Sequence, residues 1–243
     1  MPKSSQDTIN SYYRIKDATL VNRFGYFAAV GSSVQTLWGG GGSLYPWENT
    51  WGADRTSIQM SSSSASDNPT GVYANSVRAY GLDTNYELQE ESKPLNGISL
   101  VTFDSTWRRI FDFKVETGGT VGTNIGNITI EDADEHVHTI MPSGTGSTSD
   151  AIYTIPAGYS GHLTCWNGSC ALGDDVTFHL FHRKYDMQAW NRIDVKRIQS
   201  AGEWRFSNPI VIGEKDDIEI RVNAAASSTP VGGGFQVIIV PAA

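Results

Sequence analysis

Charge, cysteine and long apolar runs are all scarce in this sequence, and each scarcity excludes something. Asp, Glu, Lys and Arg make up only 18% of the 243 residues, so hydroxyls and amides carry part of the polar surface. The charge that is present is lopsided: 18 basic side chains against 26 acidic ones leave a formal net charge of -8. Proteins bind polyanions by displacing counterions with Lys and Arg, so nucleic acid is not an expected partner. No run of about 18 apolar residues occurs, so no membrane span and no membrane partner are expected. The opening stretch MPKSSQDTINSYYRIKDATL lacks the apolar centre of a signal peptide. The expectation is a protein made in a cytoplasm and not exported by that route.

Catalytic signatures are missing as well. GYSGH (158–162) matches G-x-S-x-G only superficially, and Ser160 with His162 on a strand start does not make a triad. Asp174-Asp175 and Asp216-Asp217 are sequence neighbours pointing opposite ways before strands, which suits solvated strand starts better than paired acid/base carboxylates. The glycine runs at 39–42 and 232–234 are not followed by helices, so they read as pliable or tightly turned backbone and not as phosphate loops. His136 and His138 would share one face of a strand, with Asp132, Asp134 and Glu135 just ahead. That set could ligate a metal, but a solvated DADE turn leading into a polar strand is the preferred reading. His179 and His182 fall on opposite faces. No enzyme, cofactor or metal is expected.

What the sequence does have is turn residues and short apolar runs. It carries 25 glycines, and Ser, Thr and Asn are abundant. From Phe24 onward, runs such as FGYFAAV (24–30), NSVRAYGL (75–82), TWRRIFDFKVET (106–117), VTFHLFHRK (176–184), DIEIRVNA (217–224) and GFQVIIVP (234–241) alternate with turn signals. No long period-3.6 segment interrupts them. The pattern predicts an all-β fold of β-sandwich or jelly-roll type with antiparallel sheets. Residues 1–23 read as an extended N-terminal arm, with Tyr12 and Tyr13 as anchors to a neighbour; a disordered tail is the plainer reading. GGTVGTNIGN (118–127) marks a long loop or a boundary. It divides a first β region, 24–118, from a second, 119–243, as two packed domains or one interleaved sandwich.

Asn96-Gly97 and Asn167-Gly168 are hairpin signals. The second lies between the only two cysteines, in CWNGSC. A two-residue loop there would set Cys165 opposite Cys170 at a non-hydrogen-bonded pair, where Cα atoms approach to about 4.5 Å. Either a cross-strand disulfide or two free thiols follows. Trp38, Tyr45, Trp47 and Trp51 crowd a glycine-rich loop. They form either a sugar-stacking or contact patch or, the preferred reading, a loop packed on its own barrel end. The stretch 179–197 is locally basic, with Arg183, Lys184, Arg192, Lys196 and Arg197. It reads either as a docking face for an acidic protein surface or as a solvated hairpin tip.

Five segments taken in order cover most of the chain: GYFAAVGSSVQTLWGGGGSLYPW (25–47), SVRAYGLDTNYELQEESKPLNG (76–97), TWRRIFDFKVETGGTVGTNIGNITI (106–130), AIYTIPAGYSGHLTCWNGS (151–169) and IVIGEKDDIEIRVNAAASSTPVGGGFQVIIV (210–240). Together they resemble all-β virion structural proteins of tailed phages that infect marine bacteria and cyanobacteria. The resemblance implies a virion location, assembly on a particle as head decoration, and the major capsid protein or other virion proteins as partners. It carries over no catalytic residue, and the cysteine pair departs from its pattern. A homo-oligomer, a trimer at a capsid three-fold position, suits such a role. A neck, tail or fibre component and a carbohydrate-binding module for a surface glycan are the alternatives.

Overall fold

The computed structural model describes residues 18–47, 57–226 and 228–242. Among these residues the chain forms sixteen β-strands: β1 (Thr19–Val30), β2 (Gln35–Thr36), β3 (Gln59–Ser62), β4 (Ala74–Leu82), β5 (Leu88–Pro94), β6 (Val101–Thr102), β7 (Arg109–Gly118), β8 (Ile128–Glu131), β9 (Val137–Met141), β10 (Ile152–Thr154), β11 (Tyr159–Cys170), β12 (Val176–Arg183), β13 (Asn191–Ile198), β14 (Ala201–Ile212), β15 (Asp217–Ala224) and β16 (Thr229–Pro241). The pairings between these strands are antiparallel, as the alternation of apolar and polar residues predicts. No helix among the described residues is long and apolar enough to cross a membrane.

The strands gather into two compact units. The first takes the described residues of Met1–Leu37, Gly41–Leu44 and Ala151–Ala243; the second takes those of Trp38–Gly40 and Tyr45–Asp150. The first unit is a sandwich of two sheets, one ordered β1-β16-β11-β14 and the other β10-β15-β12-β13, with β2 also on β15. Its interior is built by period-2 burial. In β15, Ile218, Ile220, Val222 and Ala224 are buried on one face, and in β12 Val176, Phe178 and Leu180 do the same. Phe178 fixes the closeness of the two sheets. A Cβ on Gly168 of β11 would lie 2.7 Å from its ring, and one on Gly233 of β16 would lie 3.0 Å away. Glycine at these two positions makes a notch that the ring fills. The glycine run at 39–42 turns tightly, with φ of +39° at Gly41 and +70° at Gly42.

The second unit has a sheet ordered β6-β3-β8-β9 and a sheet ordered β5-β4-β7. One core cluster draws on both: Met60, Ile128, Ile130 and Met141 from the first, Val77, Ala79, Ile110 and Phe113 from the second, with Phe103 and Trp107 between strands. Two buried polar residues tie its loops together. The Asp67 carboxylate accepts from the Ser62 hydroxyl at 2.6 Å and from the Ile125 and Gly126 N–H groups at 3.0 and 2.9 Å. Asn124 donates to the Gly126 and Pro142 carbonyls at 2.7 and 2.8 Å. The Ser-rich loop is therefore built, not loose.

Four expectations are corrected here. The boundary does not fall at 118/119. The β4–β7 ladder runs to Gly118, and the N–H groups of Gly119 and Val121 bond the Tyr73 and Val72 carbonyls. These bonds keep the glycine-rich stretch in the second unit. The arm does not extend to residue 23, because Thr19–Arg23 pair in register with Ile239–Phe235 of β16; residues 1–17, with Tyr12 and Tyr13, lie outside the described residues. Asn96-Gly97 makes a turn, with Gly97 at φ +61°. It is no hairpin, since β5 pairs with β4 and β6 with β3. Finally, Asn167-Gly168 lies inside continuous β11, flanked by β14 and β16.

If Phe178 needs the Gly168 notch, Gly168→Ala will overpack the sandwich and cost about 1–3 kcal/mol. Denaturant unfolding will show a lower midpoint, whereas Gly31→Ala, at a position with nothing within 4 Å, will leave it near the parent's.

Candidate functional site

The cysteine pair is excluded as a staple. Cys165 and Cys170 sit on one strand, five residues apart, and both are free. At about 3.3 Å per residue they are separated by roughly 16 Å, well beyond the ~6.8 Å Cα limit of a disulfide. Cys165 is buried and donates to the Gln236 side chain at 3.1 Å, and Cys170 reaches the Asp174 carbonyl. Burial pushes both thiols up from their ordinary values.

The tryptophan cluster is interior as well. Trp38 and Trp47 are 3% and 2% exposed. Tyr45 stands between them, with edge-to-face centroid distances of 5.0 Å to Trp38 and 4.9 Å to Trp47. The Arg109 guanidinium lies 5.3 Å from the Trp47 ring centre. Rings this deeply covered offer no platform to a sugar. Trp51 lies outside the described residues.

The basic stretch divides by strand parity. Arg183, at the end of β12, is buried and bonds Asp217 through Nε at 3.0 Å and Nη2 at 2.7 Å. Asp217 also accepts from Thr154 at 2.5 Å. The Trp190 ring receives both Arg183, at 4.7 Å, and Arg221, at 5.0 Å, and Arg221 pairs with fully buried Glu219. Arg183 is thus part of an interior polar ladder and not of a docking face. Lys196 pairs with Asp194 at 3.0 Å, and Arg197 pairs with Asp175. Lys184 and Arg192 are exposed. A basic face does not form because most of these cations meet a carboxylate within their own unit.

His182 and Asp216 form a neighbouring pair, Nε2 to Oδ2 at 2.8 Å. Asp216 also accepts from the Tyr185 and Gly213 N–H groups at 2.9 and 3.0 Å. Burial opposes its ionisation, but these hydrogen bonds and the His182 ring outweigh burial, and the carboxyl titrates below its ordinary value.

The surface that does stand exposed is the outer face of the first unit's β1 sheet, which sequence reasoning missed. Residues of β1 alternate, with Gly25 buried and Phe24 and Tyr26 exposed at 53% and 45%. Register aligns Phe24 with Gly234, Asn167 and Glu203 across the sheet, and Tyr26 with Gly232, Ser169 and Ala201. The Phe24 ring lies over Gly232, where a Cβ would be 3.1 Å from it. Two aromatics thus lie beside a glycine furrow lined by an amide and a hydroxyl. The signal was present as F-G-Y opposite G-G-G, but only the β1–β16 register joins the two. At the sheet's margins lie β1 and β14, each twelve residues long.

The β8–β9 turn gathers a different set. Asp132 is buried, and its Oδ1 accepts from the Asp134 and His136 N–H groups, both at 3.0 Å. Its Oδ2 lies 3.2 Å from His136 Nδ1 and 3.5 Å from His138 Nε2. Asp132, Asp134 and His136 place one donor atom each within 4.8 Å of one another.

No protein-family model matches the chain, and no curated protein matches it. Similar solved structures include the Yersinia pseudotuberculosis-derived mitogen, at 12% identity over 37% of this chain and 84% of the mitogen, with a TM-score of 0.19. Others are the insecticidal delta-endotoxin Cry8Ea1 from Bacillus thuringiensis, at 7% identity over 96% of this chain and 62% of that one, TM-score 0.24, and infectious bursal disease virus Gx strain, at 10% over 93% and 72%, TM-score 0.24. The chain spans less than two thirds of the endotoxin. Likenesses at these TM-scores carry no inference about function.

Two outcomes follow from this geometry. Arg183→Ala leaves Asp217 buried without its cation and will destabilise the fold by about 3–5 kcal/mol in denaturant titration. For Asp216, the folded-state value lies below that of the unfolded chain, near 3.9. Its contribution is therefore full above about pH 3.9 and is lost as pH falls through the lower folded-state value. Asp216→Ala will lower stability by about 1–3 kcal/mol at neutral pH, and the gap between variant and parent will close in acid.

Proposed function

We propose that this chain is a non-enzymatic structural protein of a phage particle, acting by protein–protein contacts as a capsid decoration or cement protein. The observation that carries the reading is the β1 margin. A twelve-residue strand ends its sheet and presents Phe24 and Tyr26 to solvent. A margin of this kind suits pairing with a neighbouring chain, and exposed aromatics supply contact area at low entropic cost. The all-β architecture and the segment-by-segment resemblance to phage virion proteins support the same role. The partners are the major capsid protein and further copies of this chain, with a trimer the natural ring at a three-fold position. A neck, tail or fibre component is distinguished by copy number, about a dozen per particle against on the order of hundreds for decoration.

A glycan-binding reading is favoured by one observation, the exposure of Phe24 and Tyr26 beside Gly232 and Gly234. It no longer has Trp38 or Trp47 to draw on.

The Phe24→Ala/Tyr26→Ala double variant, with its folded state verified by circular dichroism and its stability by denaturant titration, will drop at least about tenfold in incorporation into particles. Quantitative gel densitometry of purified particles reads this directly. Absence of the parent protein from particles defeats the structural role. Glycan-array binding that disappears in the same variant, together with that absence, establishes the glycan reading instead.

A further inference from the structure

We propose that the β8–β9 turn of the second unit is a divalent transition-metal site, for which zinc(II) is the fitting ion, with Asp132, Asp134 and His136 as its ligands and the buried His138 ring beside Asp132. The argument begins with a division of labour on one carboxylate. Asp132 Oδ1 is engaged by the N–H groups of Asp134 and His136. These two bonds hold the carboxylate in a single orientation, as outer hydrogen bonds do around metal ligands. Oδ2 is the oxygen on which both imidazoles converge, through His136 Nδ1 at 3.2 Å and His138 Nε2 at 3.5 Å.

The donor atoms of Asp132, Asp134 and His136 lie within 4.8 Å of one another. Zinc binds imidazole nitrogen and carboxylate oxygen at about 2.0–2.2 Å, which places neighbouring ligand atoms of a tetrahedron roughly 3.3–3.5 Å apart. The mutual spacing of Asp132, Asp134 and His136 leaves room for an ion between them after small side-chain shifts. The backbone produces it by a bulge. Glu131 pairs with Val137 and Ile130 with Thr139, so His138 is the extra residue between them. A bulge re-aims the side chain it carries, and His138 is buried with its ring directed at Asp132, while the shorter route from His136 comes through the turn. Glu135, at φ +63°, closes that turn.

The donor chemistry selects the class of ion. An imidazole among the ligands favours zinc and its first-row neighbours, whereas magnesium and calcium prefer oxygen-only sets. Access is from solvent: Asp134 is exposed and the His136 side chain is 38% exposed, while Asp132 and His138 form the buried floor. An ion held there would clamp the β8–β9 turn, whose strands carry the core residues Ile128, Ile130 and Met141.

The test uses the full chain without a histidine tag, treated with chelator and dialysed. Zinc chloride titrated calorimetrically will bind with one-to-one stoichiometry at micromolar affinity or tighter, and the thermal midpoint will rise with zinc. Cobalt(II) will give the visible absorption of a tetrahedral nitrogen and oxygen site. Asp134→Ala and His136→Ala will each weaken zinc binding by tenfold or more, and Asp134→Ala, at an exposed position, will retain the parent's midpoint in chelator. Absence of zinc binding by the parent, undiminished binding by His136→Ala, or a response to magnesium or calcium alone would each overturn the site.

Discussion

The first unit depends on its final strand. β16 lies between β1, the first described strand, and β11, and it is hydrogen-bonded to both along most of its length. Until residues near 229–241 are in place, β1 has no partner in its sheet. The contacts that close this unit join positions more than two hundred residues apart, and the whole second unit is an insertion between them. Loop-closure entropy rises only slowly with length, so such an insertion is thermodynamically tolerable. It does make formation of the sheet a late, non-local event.

The glycine triplet of β16 shows how tightly that strand is constrained from both sides. Gly233 faces inward and, with Gly168, admits the Phe178 ring; Gly232 and Gly234 face outward, under Phe24 and beside Asn167 and Ser169. A strand carrying three glycines is intrinsically weak. Here the aromatic rings above and below replace the missing side chains as packing partners. The same residues thus serve the core on one face and the exposed aromatic surface on the other.

Scarce charge is used largely within the units. Arg183 with Asp217, Glu219 beneath the half-buried Arg221, and the carboxylates Asp67, Asp132 and Asp150 are held on hydrogen-bonding partners, each carboxylate buried. Buried pairs of this kind are weak evidence for net stability but costly to break. On the β1 sheet's outer face, Phe24 and Tyr26 stand at one margin and the exposed Arg205–Glu203 pair on β14 at the other, and the aromatic margin is the physical basis for reading it as a contact surface.

The all-β class was legible in the sequence because burial alternates with period two, and strands such as DIEIRVNA declare their inner face directly. Composition likewise determined the weak case for polyanion binding. Pairing was not legible. Asn167-Gly168 has the turn chemistry of a hairpin, yet neighbours on both sides and the Phe178 ring hold it extended, so the cysteines that flank it never meet. The tryptophans of the glycine loop could be assigned to surface or interior only once their surroundings existed. Asp132, His136 and His138 were visible as a cluster, but a one-residue bulge decided that both rings point at one oxygen. Local propensity and periodicity belong to the chain itself; register, bulges and the partner across a sheet are long-range choices, and only the folded structure makes them.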